Sequence, residues 1–312
     1  MKIILVLLSS AVLLCSAAPA FELVTCSENS HAAAARLAMH HINAHHDHGY
    51  KLRLGKTQGI KVVTVNGGCD VELHLKLLET KCHVVNPRHF EDCEIREEHE
   101  RAVMADCTVK ITVKMGPAKV TKYECETRQV KTDLEMMVMC PGCPQLIALD
   151  SLEGGRSVDE VVNKVNQNTT NKHYYILHET GRVESAYLMS VGMMYSAEVV
   201  LVETRCPMGS RIAIEACEPL CPDRAHHALC HSSYSTTLGF EPVKCELYPP
   251  SNVVALAAGE KEPVCSPPDQ EREHHGAHPI SHICHSSNMI NVDPALHPIC
   301  PWPHPKPDPK PH

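Results

Sequence analysis

Seventeen cysteines in 312 residues constrain this chain more than any other feature. Cysteine at that density belongs to an oxidising compartment, because a reducing cytosol keeps thiols apart and uses few of them structurally. The N-terminus points the same way. Lys2 precedes an apolar run over 3–14, and Ala18-Pro19-Ala20 follows as a small-residue cleavage pattern. Residues 1–20 are read as a secretory signal peptide and the remainder as a secreted, extracellular chain. The apolar run is shorter than the ~20 residues a membrane span needs, so no span is expected. Losing Cys15 leaves sixteen cysteines, an even number suited to full pairing. Asn168-Thr169-Thr170 is a glycosylation sequon, with Asn168 the acceptor. A net charge of -8 argues against nucleic acid as a partner.

The cysteine spacing repeats. Cys82 and Cys93 stand at the same separation as Cys206 and Cys217, and each half has a second local interval, Cys107 to Cys125 and Cys230 to Cys245. Disulfides explain this better than zinc, since Cys140-x-x-Cys143 lacks a matching second pair. A loop of about 15 residues closed by a disulfide is worth about 3 kcal/mol. That suits cores with few aromatics (Trp 1, Tyr 8, Phe 3).

The surrounding pattern repeats too. A helical spacing over 27–46 (Ala34, Leu37/Ala38, Ile42) precedes β-like runs at 50–54 and 60–65, separated by Gly55 and Gly59. Residues 70–77 alternate, with Val71, Leu73, Leu75 and Leu77 inward and Asp70, Glu72, His74 and Lys76 outward. Runs at 108–115 and 119–125 complete the half. After Pro144, Ser157-Val158-Asp159-Glu160 reads as a capping box opening a Val158, Val161/Val162, Val165 stripe. Strands are expected at 174–178, 187–189, 195–203, 211–217 and 237–247. The fold class is α+β: two tandem modules, 21–139 and 145–249, each one helix wrapped by an antiparallel sheet. A linker at 140–144 joins them, and a disordered Pro/His-rich tail covers 250–312.

Leu78-Glu79-Thr80-Lys81-Cys82-His83-Val84 resembles the LETxCHV signature of the fetuins, members of the cystatin superfamily. Gly49-Tyr50, the run Ala102 to Cys107 and Cys140-Pro141-Gly142-Cys143-Pro144 match further fetuin landmarks, and the resemblance extends over 26–250 plus Cys300-Pro301. It implies two cystatin-like modules. It also implies the pairs Cys26–Cys300, Cys82–Cys93, Cys107–Cys125, Cys140–Cys143, Cys206–Cys217 and Cys230–Cys245. Cys69, Cys221, Cys265 and Cys284 are left without assigned partners.

The resemblance implies an endopeptidase inhibitor, with extracellular proteases as partners. Cystatins block cysteine proteases with a Q-x-V-x-G hairpin. Here Val63-Thr64-Val65-Asn66-Gly67 lacks the glutamine, and Leu188-Met189-Ser190-Val191-Gly192 keeps only the glycine. In one fetuin branch the linker C-P-D-C-P is implicated in blocking astacin-type zinc proteases. Cys140, Pro141, Cys143 and Pro144 keep that scaffold, with Gly142 where the aspartate would stand. Metalloprotease inhibition through the linker is therefore favoured over cysteine-protease inhibition. The alternative is a carrier of calcium phosphate or divalent metal, with Asp70, Glu72 and Glu79 as mineral-binding carboxylates. His41 and His45, one helical turn apart, are the candidate Zn²⁺ ligands. No cofactor is required. No nucleophile motif, P-loop or HExxH occurs, so an enzyme is not expected.

Overall fold

Ala33, Ala34, Ala35, Ala38, Met39 and Ile42 recur at helical spacing, and α1 (His31–His45) buries all six. A computed structural model describes residues 23–114, 116–254, 262, 263, 265, 284 and 292–303. The signal sequence assigned to 1–20 and most of 255–312 lie outside the described residues. After α1 come β1 (Tyr50–Val65), β2 (Gly68–His83), β3 (Val103–Val113) and β4 (Lys119–Gln129), an antiparallel sheet in that spatial order. Val71, Leu73, Leu75 and Leu77 of β2 point into the core shared with α1, as their alternation demands. The strand β1 is continuous, although the sequence suggested two runs. Gly55 and Gly59 fall at register shifts against β2, so they mark irregularities within one strand.

α2 (Asp133–Met139) leads to a second antiparallel sheet built from β5 (Gln145–Leu146), β6 (His173–Leu188), β7 (Gly192–Pro207), β8 (His227–Ser235) and β10 (Lys244–Tyr248). Its order is β10-β8-β7-β6-β5, with β9 (Gly239–Phe240) beside β8. α3 (Leu152–Asn166) packs Val158 and Val161 against Val199, Leu201 and Ala228.

Several expectations for this half are corrected. The helix begins at Leu152, with the Ser151 hydroxyl accepting from Gly154 N at 3.2 Å, so the 157–160 capping box does not cap and Ser157 is buried. Gly154 explains the early start: a Cβ there would lie 3.1 Å from Val183 Cγ2, so glycine lets α3 approach β6 closely. Within 211–217 the chain forms a 3₁₀ turn, Ile214–Ala216, inside the loop closed by Cys206–Cys217. The segment 237–247 is split into β9 and β10. β8, a strand not expected from the sequence, is held by ladders to β7 and β10.

Eight disulfides pair all sixteen cysteines among the described residues: Cys82–Cys93, Cys107–Cys125, Cys140–Cys143, Cys206–Cys217, Cys230–Cys245, Cys26–Cys69, Cys221–Cys265 and Cys284–Cys300. The expected Cys26–Cys300 bond is absent. Cys69, near the start of β2, lies beside the entry to α1 with its Cα 5.7 Å from that of Cys26, and Cys300 closes on Cys284 instead. Residues 292–303 also depart from tail behaviour. Ile299 joins the core of α1 and the first sheet, and Ala295 and Leu296 pack with Val103 and Leu146.

Candidate functional site

The linker is a rigid turn presented between anchored elements. Thr132 caps α2 by accepting from Glu135 N, the Glu135 carboxylate accepts from Thr132 N at 2.8 Å, and Asp133 pairs with buried Arg101. Met136 is buried, while Leu134, Met137, Val138 and Met139 face solvent. The helix ends in Cys140, whose N–H donates to Met136 O at 2.8 Å, and Cys143 N returns to Cys140 O at 3.0 Å. The Cys140–Cys143 bond locks this turn, and nothing lies within 4 Å of where a Gly142 Cβ would be.

β-Sheet register decides what flanks it. Gln145 pairs with Ser185 and Leu146 with Glu184, so the chain running back through Pro144 to Gly142 lies toward the distal end of β6. That end carries Tyr187, Leu188 and Met189, all exposed, Met189 at 95%. The β8–β9 turn is tied to it: the Ser235 and Thr237 hydroxyls donate to Val191 O at 3.0 and 2.8 Å, bringing exposed Leu238 and Phe240 alongside. The first sheet sends the turn at 66–67 and the connection from β3 to β4 to the end where β4 begins, whereas the chain leaves β4 from the other end. The linker is thus grouped with the turns of the second sheet.

The proposed mineral face is not an acidic array. Asp70 accepts from Thr112 Oγ1 at 2.8 Å. Glu72 sits across from Lys61 and Lys110, with Lys110 Nζ 3.4 Å away. Glu79 is corrected outright: it is buried, 3.0 Å from Arg182 and 3.3 Å from Arg96, and cannot face a crystal. The rings of His41 and His45 lie tilted against each other, centroids 4.1 Å apart, and His41 meets the Trp302 ring edge-on at 4.4 Å. Burial, then His45, pushes the His41 pKa down to about 4. The His45 Nδ1 is engaged with His41 O at 2.8 Å, and among the described residues no three His, Cys, Asp or Glu side chains converge as a metal group. Asn168 is exposed, its amide oxygen accepting from Thr170 N and Oγ1.

What sequence reasoning missed is an ionic layer between the two sheets. Arg182 of β6, almost wholly buried, donates to Glu79 at 3.0 Å, to Glu184 at 2.7 Å and to the carbonyls of Glu100 and Arg101 at 2.7 and 2.6 Å. Arg96 reaches Glu198 at 2.7 Å while lying over the Tyr50 ring, and the Tyr50 hydroxyl donates to the same carboxylate. Burial opposes ionisation of Glu198, but the Arg96 charge and the two hydrogen bonds hold its pKa down to about 2. Glu179 accepts from His83 Nε2 at 2.7 Å and from Gly49 N at 3.0 Å. His83 stands beside a disulfide-bonded cysteine. That neighbour, Cys82, pairs with Cys93, but the imidazole itself is fully buried against the second sheet.

No family model matches the chain. Antihemorrhagic factor cHLP-B of Gloydius brevicauda is 35% identical over 173 residues, covering 55% of this chain and 49% of that protein. Antihemorrhagic factor HSF of Protobothrops flavoviridis is 31% identical over 223 residues, 70% of this chain and 64% of the relative. Alpha-2-HS-glycoprotein of Oryctolagus cuniculus is 26% identical over 227 residues, 70% and 60% of the two chains. Mouse fetuin-B in complex with crayfish astacin superposes with a TM-score of 0.55 at 22% identity, covering 73% of each chain. Mouse fetuin-B in an inhibitory complex with human meprin beta gives 0.58 at 22%, covering 72% and 74%. The chain is similar in sequence to antihemorrhagic factors and alpha-2-HS-glycoprotein and shares the fold of fetuin-B. It spans about half the length of antihemorrhagic factor cHLP-B and of antihemorrhagic factor BJ46a of Bothrops jararaca. These relatives are named for factors and glycoproteins, none for a catalytic activity. The Cys140-Pro141-Gly142-Cys143-Pro144 turn brings no side chain at Gly142.

Proposed function

We propose that this chain is a secreted inhibitor of zinc endopeptidases of the astacin type. The observation that carries the reading is the grouping of the disulfide-locked turn Cys140–Pro144 with the apolar turns around Met189 and Leu238. A preorganised turn enters a protease cleft with little entropy lost, and exposed apolar tips on either side supply buried area. That mouse fetuin-B has been captured with astacin and with meprin beta supports the same partner class. Gly142 offers no carboxylate, so the turn contributes shape and main-chain carbonyls, and occlusion of the cleft does the work.

Titrating the full chain against an astacin-type and a papain-type protease tests this. Inhibition of the first is expected, weakened about 10-fold or more by Met189→Asp, the size of effect expected for an anchor at an interface centre. Inhibition of neither protease at micromolar concentration would sink the reading. The carrier alternative gains nothing from the described residues, because cross-strand lysines alternate with Glu72 and Glu79 is buried.

Secretion with an N-glycan at Asn168 completes the proposal. Asn168→Gln should abolish the mobility shift seen on deglycosylating the secreted protein. An unchanged shift would place the glycan elsewhere.

A further inference from the structure

Residues 292–303 touch both sheets at once, yet none of the eight disulfides joins them to either. Cys300 bonds Cys284, which lies in the same C-terminal segment. On the first-sheet side, His48 Nε2 lies 2.7 Å from Pro298 O, Tyr123 N donates to Trp302 O at 2.8 Å, and Ile299 fills the core. On the second-sheet side, Leu149 N donates to Pro294 O at 3.0 Å, and His297 Nε2 lies 2.9 Å from Gly181 O. The remaining nitrogen of His297, Nδ1, lies 3.0 Å from the Glu179 carboxylate. We propose that 292–303 is a detachable clasp across the two modules, and that the His297 imidazolium is its proton-dependent latch.

The chemistry follows from the acceptor count. Nε2 is hydrogen-bonded to the Gly181 carbonyl and Nδ1 lies against the Glu179 carboxylate as an ion pair, so only the protonated ring suits both neighbours. Losing one proton leaves a nitrogen lone pair against either Gly181 O or Glu179, inside a site that excludes water. The other charged and titratable groups around the ring come from several elements. His46, His48 and Asp47 follow α1, Tyr50 and His83 belong to the first sheet, and Glu79 carries Arg96 and Arg182 with it. Burial disfavours the charged His297, but the ion pair with Glu179 and the Gly181 carbonyl raise its pKa above the usual histidine range. The clasp is therefore fastened at and below neutral pH and loosens as pH rises through that raised value. Gly49 shows how tightly it seats: at φ +66, a Cβ there would lie 2.7 Å from the His297 ring.

Trp302, the single tryptophan of the chain, sits inside the clasp between His41 and Tyr123 and reports its docking. Acrylamide quenching of the full chain should be weak at pH 6 and rise several-fold toward pH 9.5 in wild type. His297→Gln should remove that rise, and His83→Gln should keep it. His41 titrates near 4, below this range, and His45 is unaltered in both variants. A pH response that survives in His297→Gln, or a flat response in wild type, would overturn the latch. Hydrogen–deuterium exchange on wild type gives a second reading that needs no variant. Protection of 292–303 should fall with pH, after correction for the intrinsic rate, while β3 stays protected. Equal protection of both throughout would overturn the detachable clasp.

Discussion

Replacing Arg182 with alanine is expected to lower the unfolding free energy by about 3–5 kcal/mol, the range for removing one partner of a buried ion pair. Its guanidinium joins β6 to Glu79 of β2, to Glu184 and to the carbonyls of Glu100 and Arg101. Removing it leaves Glu79 with Arg96 alone, at 3.3 Å, and strands two carbonyls that lie away from water. Because those partners belong to different sheets, cooperativity should suffer along with stability. Urea unfolding of wild type is expected to show one transition and of Arg182→Ala two, the modules no longer melting together. A single transition shifted by less than ~1 kcal/mol would mean the layer is decorative, as many exposed ion pairs are.

The second large effect is on acid stability. His46 is buried, and burial, with His48 and His297 nearby, pushes its pKa down to about 3. The unfolded chain binds that proton near the ordinary histidine value of about 6.5, while the folded protein resists it. Stability must therefore fall as pH drops from ~6.5 toward 3. At pH 4 this one group accounts for about 3 kcal/mol by linkage. Glu198 adds a loss of the same sign at lower pH, since its stabilisation is present above the ordinary carboxylate value and disappears as pH falls toward 2. His297, with its raised pKa, contributes fully below ~6.5 and so does not tilt the acid limb. Denaturant midpoints between pH 7 and pH 4 should show the slope, and His46→Gln should flatten it. An unchanged slope in that variant would show that another group takes up the proton.

Much of the architecture is legible because it is written in short intervals. The alternation of Val71, Leu73, Leu75 and Leu77 places β2 by itself, since a strand has a period of two and one face must be dry. The apolar spacing of α1 does the same at 3.6. Gly55 and Gly59 show the limit of such signals: glycine within a run marks irregularity, and only the pairing of β1 with β2 tells a bulge from a break. The Ser157 capping box fails for a related reason, because β6 packs closely enough on Gly154 to carry α3 back to Ser151. The linker turn was legible as a covalent object, but its neighbours came from register, through Gln145 and Ser185.

By itself the sequence determined the oxidising chemistry, the duplicated helix-and-hairpin plan and the local staples, since each depends on residues close along the chain. Tertiary structure alone decided that Cys26 meets Cys69, that Glu79 turns inward to Arg182, that His83 finds Glu179 and that 292–303 is packed between the sheets. The last three depend on groups far apart in sequence, whose approach is set by how two sheets dock. No periodicity records such an approach, because the cost of burying a charge is met only where its partner arrives.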